Sequence, residues 1–127
     1  MHFLFRSSPN PNIQADRAML RRALSNLLDN ALRFTPGDGE LRIRIVDGTQ
    51  TVNLQVENTG EAVPKSLLPR LFDRFYRADP ARQPSSSEHA GLGLAITRSI
   101  IRAHGGQIRC ESADGWTRFL IELPKGD

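Results

Sequence analysis

In the stretch LRRALSNLLDNALRF, Asn26, Asn30 and Arg33 recur at helical spacing. At about 100° per residue they fall within roughly 60° of one another, on the side of a helix opposite Leu20, Leu24, Leu28 and Ala31. A plainly solvated face would more often carry Glu, Gln or Lys, because asparagine costs a helix about 0.5 kcal/mol relative to alanine. Two asparagines one turn apart, with an arginine in line, can hold a hydrated magnesium ion by side-chain oxygen and a phosphate by the guanidinium. Two further stretches invite the same chemistry. VENTGEAVPKS, residues 56–66, places Asn58, Gly60 and Val63 where a strand gives way to a loop, although taken alone it reads as a surface turn. GLGLAI, residues 91–96, sets Gly91 and Gly93 before an apolar helix, where backbone N–H groups can meet an anion, although glycines before a helix are common. No GxxxxGK[ST] occurs, which excludes the Walker-type phosphate loop.

These residues need elements to hold them. Asp16 reads as an N-cap, and the apolar spacing of Leu20, Leu24, Leu27, Leu28 and Ala31 predicts one amphipathic helix over 17–34, ended by Thr35, Pro36 and Gly37. HFLFRSSPNPNIQAD before it reads as two short strands around a turn of Ser, Pro and Asn. ELRIRIV and TVNLQVEN alternate with period two and flank DGTQ, which predicts a hairpin. VPKSLLPRLFDRFYRAD reads as a short helical passage interrupted by proline, and PARQPSSSEHAG as a mobile loop. A second helix runs from GLGLAI to the Gly105–Gly106 pair, and QIRCES and TRFLIELP close the chain as strands joined at ADG. Helices on one face of a mixed, mostly antiparallel sheet make a two-layer α/β sandwich.

At 127 residues the chain fits a single domain, 1–127, with its own core. Apolar content of 39% and charged content of 24% are those of a globular protein. No apolar run approaches the roughly 20 residues of a membrane helix, and MHFLFR lacks the features of a signal peptide. Cys110 is alone, so no internal disulfide forms, in keeping with a reducing compartment. The formal charge is +3, and Lys65 and Lys125 are the only lysines among many scattered arginines. That bias suits bidentate phosphate contact rather than a nucleic-acid tract, and no nucleic acid partner is expected.

The order NLLDNALRFTP, ENTGEAVP, LFDRFYRAD, GLGLAI, AHGG and TRFLIELP closely resembles the ATP-binding catalytic domain of bacterial sensor histidine kinases. Their fold is the Bergerat or GHKL ATPase fold. The resemblance extends from about Ile13 to Pro124, and the asparagine box with RFYR is its most specific part. It implies that Asn30 coordinates magnesium, that Asn26 assists near the phosphates and that Arg33 contacts a phosphate oxygen. Arg77 would reach the γ-phosphate, Gly91, Leu92 and Gly93 would present backbone to the phosphates, and the loop from Asp79 to His89 would be the ATP lid. Asn58 would face the adenine amine, Gly60 would give room for the base, and Val63 and Thr117 would lie near it. The implied cofactors are ATP and Mg2+. The implied partners are a histidine-bearing dimerisation domain of the same kinase and a downstream response regulator. The domain is expected to be monomeric in isolation and cytoplasmic, as part of a membrane-anchored sensor.

The sequence departs from the family pattern at three places. Asn58, Gly60 and Ala62 stand for DxGxG, His89 and Ala90 replace the first two residues of G-[ST]-G-L-G-L, and Trp116 takes a place that is usually glycine. An amide can both donate and accept, so Asn58 is expected to relax discrimination between adenine and guanine. This variant resembles the branch of active sensor kinases that includes metal-responsive ones. His2, His89 and His104 all lack the surroundings of a phosphoacceptor, so the accepting histidine is expected on another domain. Imidazole brings its own lone pair, so the site needs no strong base. This fits an amide at Asn26, where related ATPases of the fold carry a water-activating glutamate. The alternatives are a nucleotide-sensing module without phosphotransfer, favoured by Asn58, His89 and Ala90, and a serine kinase of the same fold.

Overall fold

The computed structural model describes residues 1–8, 13–73 and 93–125. Five strands form one sheet: β1 (His2–Ser7), β2 (Glu40–Asp47), β3 (Thr51–Thr59), β4 (Gln107–Ala113) and β5 (Trp116–Pro124). Their order is β1-β2-β3-β5-β4. β1 runs parallel to β2, and every other pairing is antiparallel. The helices are α1 (Arg17–Phe34) and α2 (Gly93–Ala103), and Leu68–Arg70 forms a single 3-10 turn. This is the expected sandwich.

The strand registers explain where the core and the site lie. On the helix-bearing face, Ile43, Val56, Phe119 and Cys110 form one cross-strand row, and Ile45, Leu54, Ile121 and Ile108 the next. Ala23, Leu27 and Ala31 of α1 and Ile100 and Ile101 of α2 close over these rows in one apolar cluster. Phe72 joins it from beyond the 3-10 turn, meeting Phe119 edge to face at 6.1 Å between ring centroids.

Two expectations are corrected. Residues 13–16 are not a strand. β1 finds its partner in β2, and a parallel pair needs a crossover, here supplied by α1, rather than a hairpin mate. The buried stripe of α1 is Ala23, Leu27 and Ala31, so it is turned toward the asparagine side, while Leu28 is only half-buried. The cause is a second neighbour: α1 packs against α2 as well as β3, and small alanines let the helices approach. Asn26, Asn30 and Arg33 therefore flank the buried stripe instead of opposing it.

The helix ends follow their local chemistry. Asp16 caps α1 by accepting the Met19 N–H at 3.0 Å. At the end of α2 the Gly106 N–H donates to Ile101 O and the Gly105 N–H to Arg102 O, both at 2.9 Å, with Gly105 at φ 77°. This is a Schellman closure, which favours glycine at that left-handed position. His104 binds the two helices together: its Nδ1 donates to Ile100 O at 2.8 Å, and its Nε2 accepts the Asp16 N–H at 3.0 Å. That fixes the neutral ring with its proton on Nδ1 and makes His104 structural.

Cys110 lies in the core rows, and burial, with a smaller effect from Glu111, pushes its thiol from 9.0 up to about 12. Folding thus favours the neutral thiol. That contribution is fully present below pH 9.0 and is lost as pH rises from there toward about 12. At pH 8 alkylation of Cys110 in the native protein should run at least about tenfold slower than in urea-unfolded chain, because the thiolate is the nucleophile. Equal rates would place the thiol outside the core.

Candidate nucleotide-binding site

At one end of the sheet the apolar rows give way to a polar one. Leu41, Asn58, Thr117 and Ser112 pair across β2, β3, β5 and β4 on the helix-bearing face. Asn58 is 4% exposed and Thr117 is 9% exposed. The Val63 N–H donates to Ser112 Oγ at 2.9 Å, and Ser112 Oγ lies 3.4 Å from Thr117 Oγ1. Asn58 Nδ2 donates to the Thr59 carbonyl at 3.1 Å. Asn58, Val63 and Thr117 are thus brought together at one place, with Ser112 linking two of them.

Gly60 is required by a close approach. A Cβ there would sit 2.8 Å from the Phe34 carbonyl, at the end of α1. The loop after β3 runs directly beneath the helix terminus, which explains the glycine by backbone contact. The Gly60 N–H also donates to Gly115 O at 3.3 Å, fastening the loop to the β4–β5 turn.

The other half of the site lies along α1. Asn26 Nδ2 donates to the carbonyl of Gly93, the first residue of α2, at 3.3 Å. Thr97, fully buried, donates to the same carbonyl at 2.9 Å and lies 3.4 Å from Ala23 O. The N-terminus of α2 is thereby pinned to the asparagine flank of α1. Asn30, one turn further on, is half-buried, and its amide has no hydrogen-bond partner among the described residues. Arg33 occupies the last turn. From Asn26 to Phe34 is about 12 Å along the helix. Across that length α1 forms one wall joining the α2 N-terminus to the polar row. Arg77, Gly91, Leu92, His89, Ala90 and the loop from Asp79 to His89 lie outside the described residues.

Trp116 does not line this wall. It neighbours Thr117, so it points to the opposite, helix-free face, where the Arg42 guanidinium lies 4.2 Å from its ring centre. Beside it Arg118 Nε donates to the Glu57 carboxylate. Among the described residues no three His, Cys, Asp or Glu side chains converge as a metal-binding set. Ser112 and Thr97 were missed by reading the sequence. The signal for Ser112 was a polar residue where strand alternation calls for an apolar one, directly across from Thr117.

Residues 15–127 match the sequence profile of the histidine kinase-, DNA gyrase B-, and HSP90-like ATPase family. The chain belongs to this ATPase family. Similar relatives include the sensor histidine kinase CusS of Escherichia coli K12, 49% identical over 112 residues, which make up 88% of this chain and 23% of CusS. The probable sensor kinase SilS of Salmonella typhimurium is 44% identical over 113 residues, 89% of this chain and 22% of SilS. The chain thus spans less than a quarter of the length of either of these two relatives. Among solved structures, the catalytic domain of histidine kinase ThkA superposes with a TM-score of 0.85 at 30% identity, covering 99% of this chain and 81% of that one. ThkA in complex with response regulator protein TrrA superposes with a TM-score of 0.81 at 30% identity, covering 97% and 34%.

Proposed function

We propose that this domain binds ATP with magnesium and donates the γ-phosphoryl group to a histidine on the dimerisation domain of a sensor kinase. The observation that carries this reading is the α1 wall: its asparagine flank meets the N-terminus of α2 at one end, and its C-terminal end overlies the Asn58–Thr117 floor. In this reading the base lies against Asn58, Thr117 and Val63 beside Gly60, and the phosphates lie between Arg33 and the backbone N–H groups of Gly91, Leu92 and Gly93. Asn30, with an unpartnered amide oxygen, would hold a hard cation. When bound, that cation neutralises charge on the phosphate oxygens.

The amide of Asn26 is committed to Gly93 O and holds no proton-accepting group. That suits a nucleophile carrying its own lone pair. An imidazole nitrogen forms the new N–P bond, the bond from γ-phosphorus to the bridging oxygen breaks, ADP leaves with that electron pair, and the imidazole N–H proton passes to solvent. What the protein contributes is positioning and charge cancellation. The ThkA–TrrA complex supports a response regulator as the downstream partner. Among the described residues no helix is long and apolar enough to cross a membrane. A site that uses ATP and serves such a regulator is proposed to work in the cytoplasm.

Arg77→Ala tests the division of labour. Phosphotransfer to a separately prepared histidine-bearing domain should fall about a hundredfold, while ATP affinity changes less than about threefold, because a γ-phosphate cation counts most in the transition state. Equal losses in both would remove Arg77 from the γ-phosphate.

A further inference from the structure

The polar row is oriented at both ends by backbone groups that have no choice of role. The Thr59 carbonyl can only accept, so it takes the donor end of the Asn58 amide at 3.1 Å. The flipped amide would set Oδ1 against that carbonyl, acceptor on acceptor. Asn58 Oδ1 has no partner among the described residues and remains as a free acceptor. At the other end the Val63 N–H can only donate, and it occupies Ser112 Oγ at 2.9 Å. The Ser112 hydroxyl keeps its proton to give, and Thr117 Oγ1 stands 3.4 Å away. Either hydroxyl can donate across that gap; with Ser112 as the donor, the Thr117 proton is left for the site, next to Asn58, its cross-strand partner.

We infer that the Thr59 carbonyl and the Val63 N–H polarise the row Ser112–Thr117–Asn58, so that the floor offers one hydroxyl donor beside one amide acceptor, and that Ser112 is the positioning residue that sets a preference for adenine over guanine. This rests on the ATP reading above. Adenine presents an amine donor next to a ring-nitrogen acceptor, the complement of this pair. Guanine presents a carbonyl acceptor next to a ring N–H donor and meets it wrongly at both atoms. The one-way tether replaces the expectation that Asn58 tolerates either base. Its amide would do so only if it could turn, and the Thr59 carbonyl holds it.

The test compares ATP and GTP dissociation constants, with magnesium, for the parent, Ser112→Ala and Ser112→Thr, with urea unfolding of each. The parent should prefer ATP by at least about a hundredfold, since a site built from paired polar groups rejects the mismatched analogue strongly. Ser112→Ala frees the Thr117 hydroxyl to rotate and should reduce that preference about tenfold, while Ser112→Thr, which keeps the hydroxyl, restores it. A purely structural Ser112 would weaken both nucleotides together and leave their ratio unchanged, which would overturn the inference. A parent that binds ATP and GTP alike also overturns it, with ATP binding intact. A parent that binds neither nucleotide sinks this inference and the ATP reading together.

Discussion

Asn30→Ala should leave the fold intact and remove the magnesium-dependent part of ATP affinity, with phosphotransfer falling about a hundredfold to a thousandfold, the scale of losing one preorganised electrostatic contact. Asn30 is half-buried on the flank of α1 and has no hydrogen-bond partner among the described residues, so no structural bond is lost. Alanine is the better helix former by about 0.5 kcal/mol, so the thermal midpoint should hold or rise slightly. A residue that weakens the helix yet is indispensable to transfer is what a cation ligand would look like. Calorimetric titration with and without magnesium checks it. If the parent binds ATP equally well in both conditions, or if the variant keeps the parent's magnesium dependence, Asn30 is not the ligand.

Among the described glycines, Gly106 should be the one where an added methyl group does most damage. Its Cβ would stand 2.3 Å from Glu122 O, 3.0 Å from Leu123 Cδ2 and 3.2 Å from Ile101 Cγ2. Backbone, core side chain and helix converge there because Gly106 closes α2 and leads straight into β4 alongside β5. The nearest of these is a backbone carbonyl and the other two belong to buried core side chains, so the backbone must shift, at a cost of about 3 kcal/mol. For a chain of this length that lowers the melting temperature by about 10 °C. Gly37→Ala is the control, since a Cβ there meets nothing within 4 Å. Two glycine variants that melt together would contradict the described packing of α2 onto the β4–β5 hairpin.

Local chemistry was readable where one segment decides it. The bounds of α1 follow from Asp16, its apolar spacing and Thr35-Pro36, and the Asp114-Gly115 turn shows both residues at positive φ, as a two-residue hairpin requires. Features set by two distant segments were not readable. The parallel pairing of β1 depends on a strand beyond α1, and the rotation of the buried stripe of α1 depends on α2. Ala23 and Ala31 look neutral in a periodicity that gives weight to leucines. In the candidate site, the residue types of Asn26, Asn30, Asn58 and Thr117 were visible, but the hydrogen-bond partners of Asn26, Asn58 and Thr117 were not. The Thr59 carbonyl that orients Asn58 and the Gly93 carbonyl that holds Asn26 are backbone groups, which the sequence does not display. Ser112 is held by the backbone N–H of a loop residue, Val63, far away along the chain. Gly60 was read as room for the base, whereas its lack of a side chain answers first to Phe34 O.

The most direct test of phosphoryl donation is to incubate the domain with γ-labelled ATP, magnesium and a separately prepared helical domain bearing the acceptor histidine, and then to analyse the label on that domain. An N–P bond to imidazole breaks in acid and survives base. The predicted result is magnesium-dependent label that is acid-labile and base-stable. Bound ATP with no transferred label, or acid-stable label on serine, would contradict it.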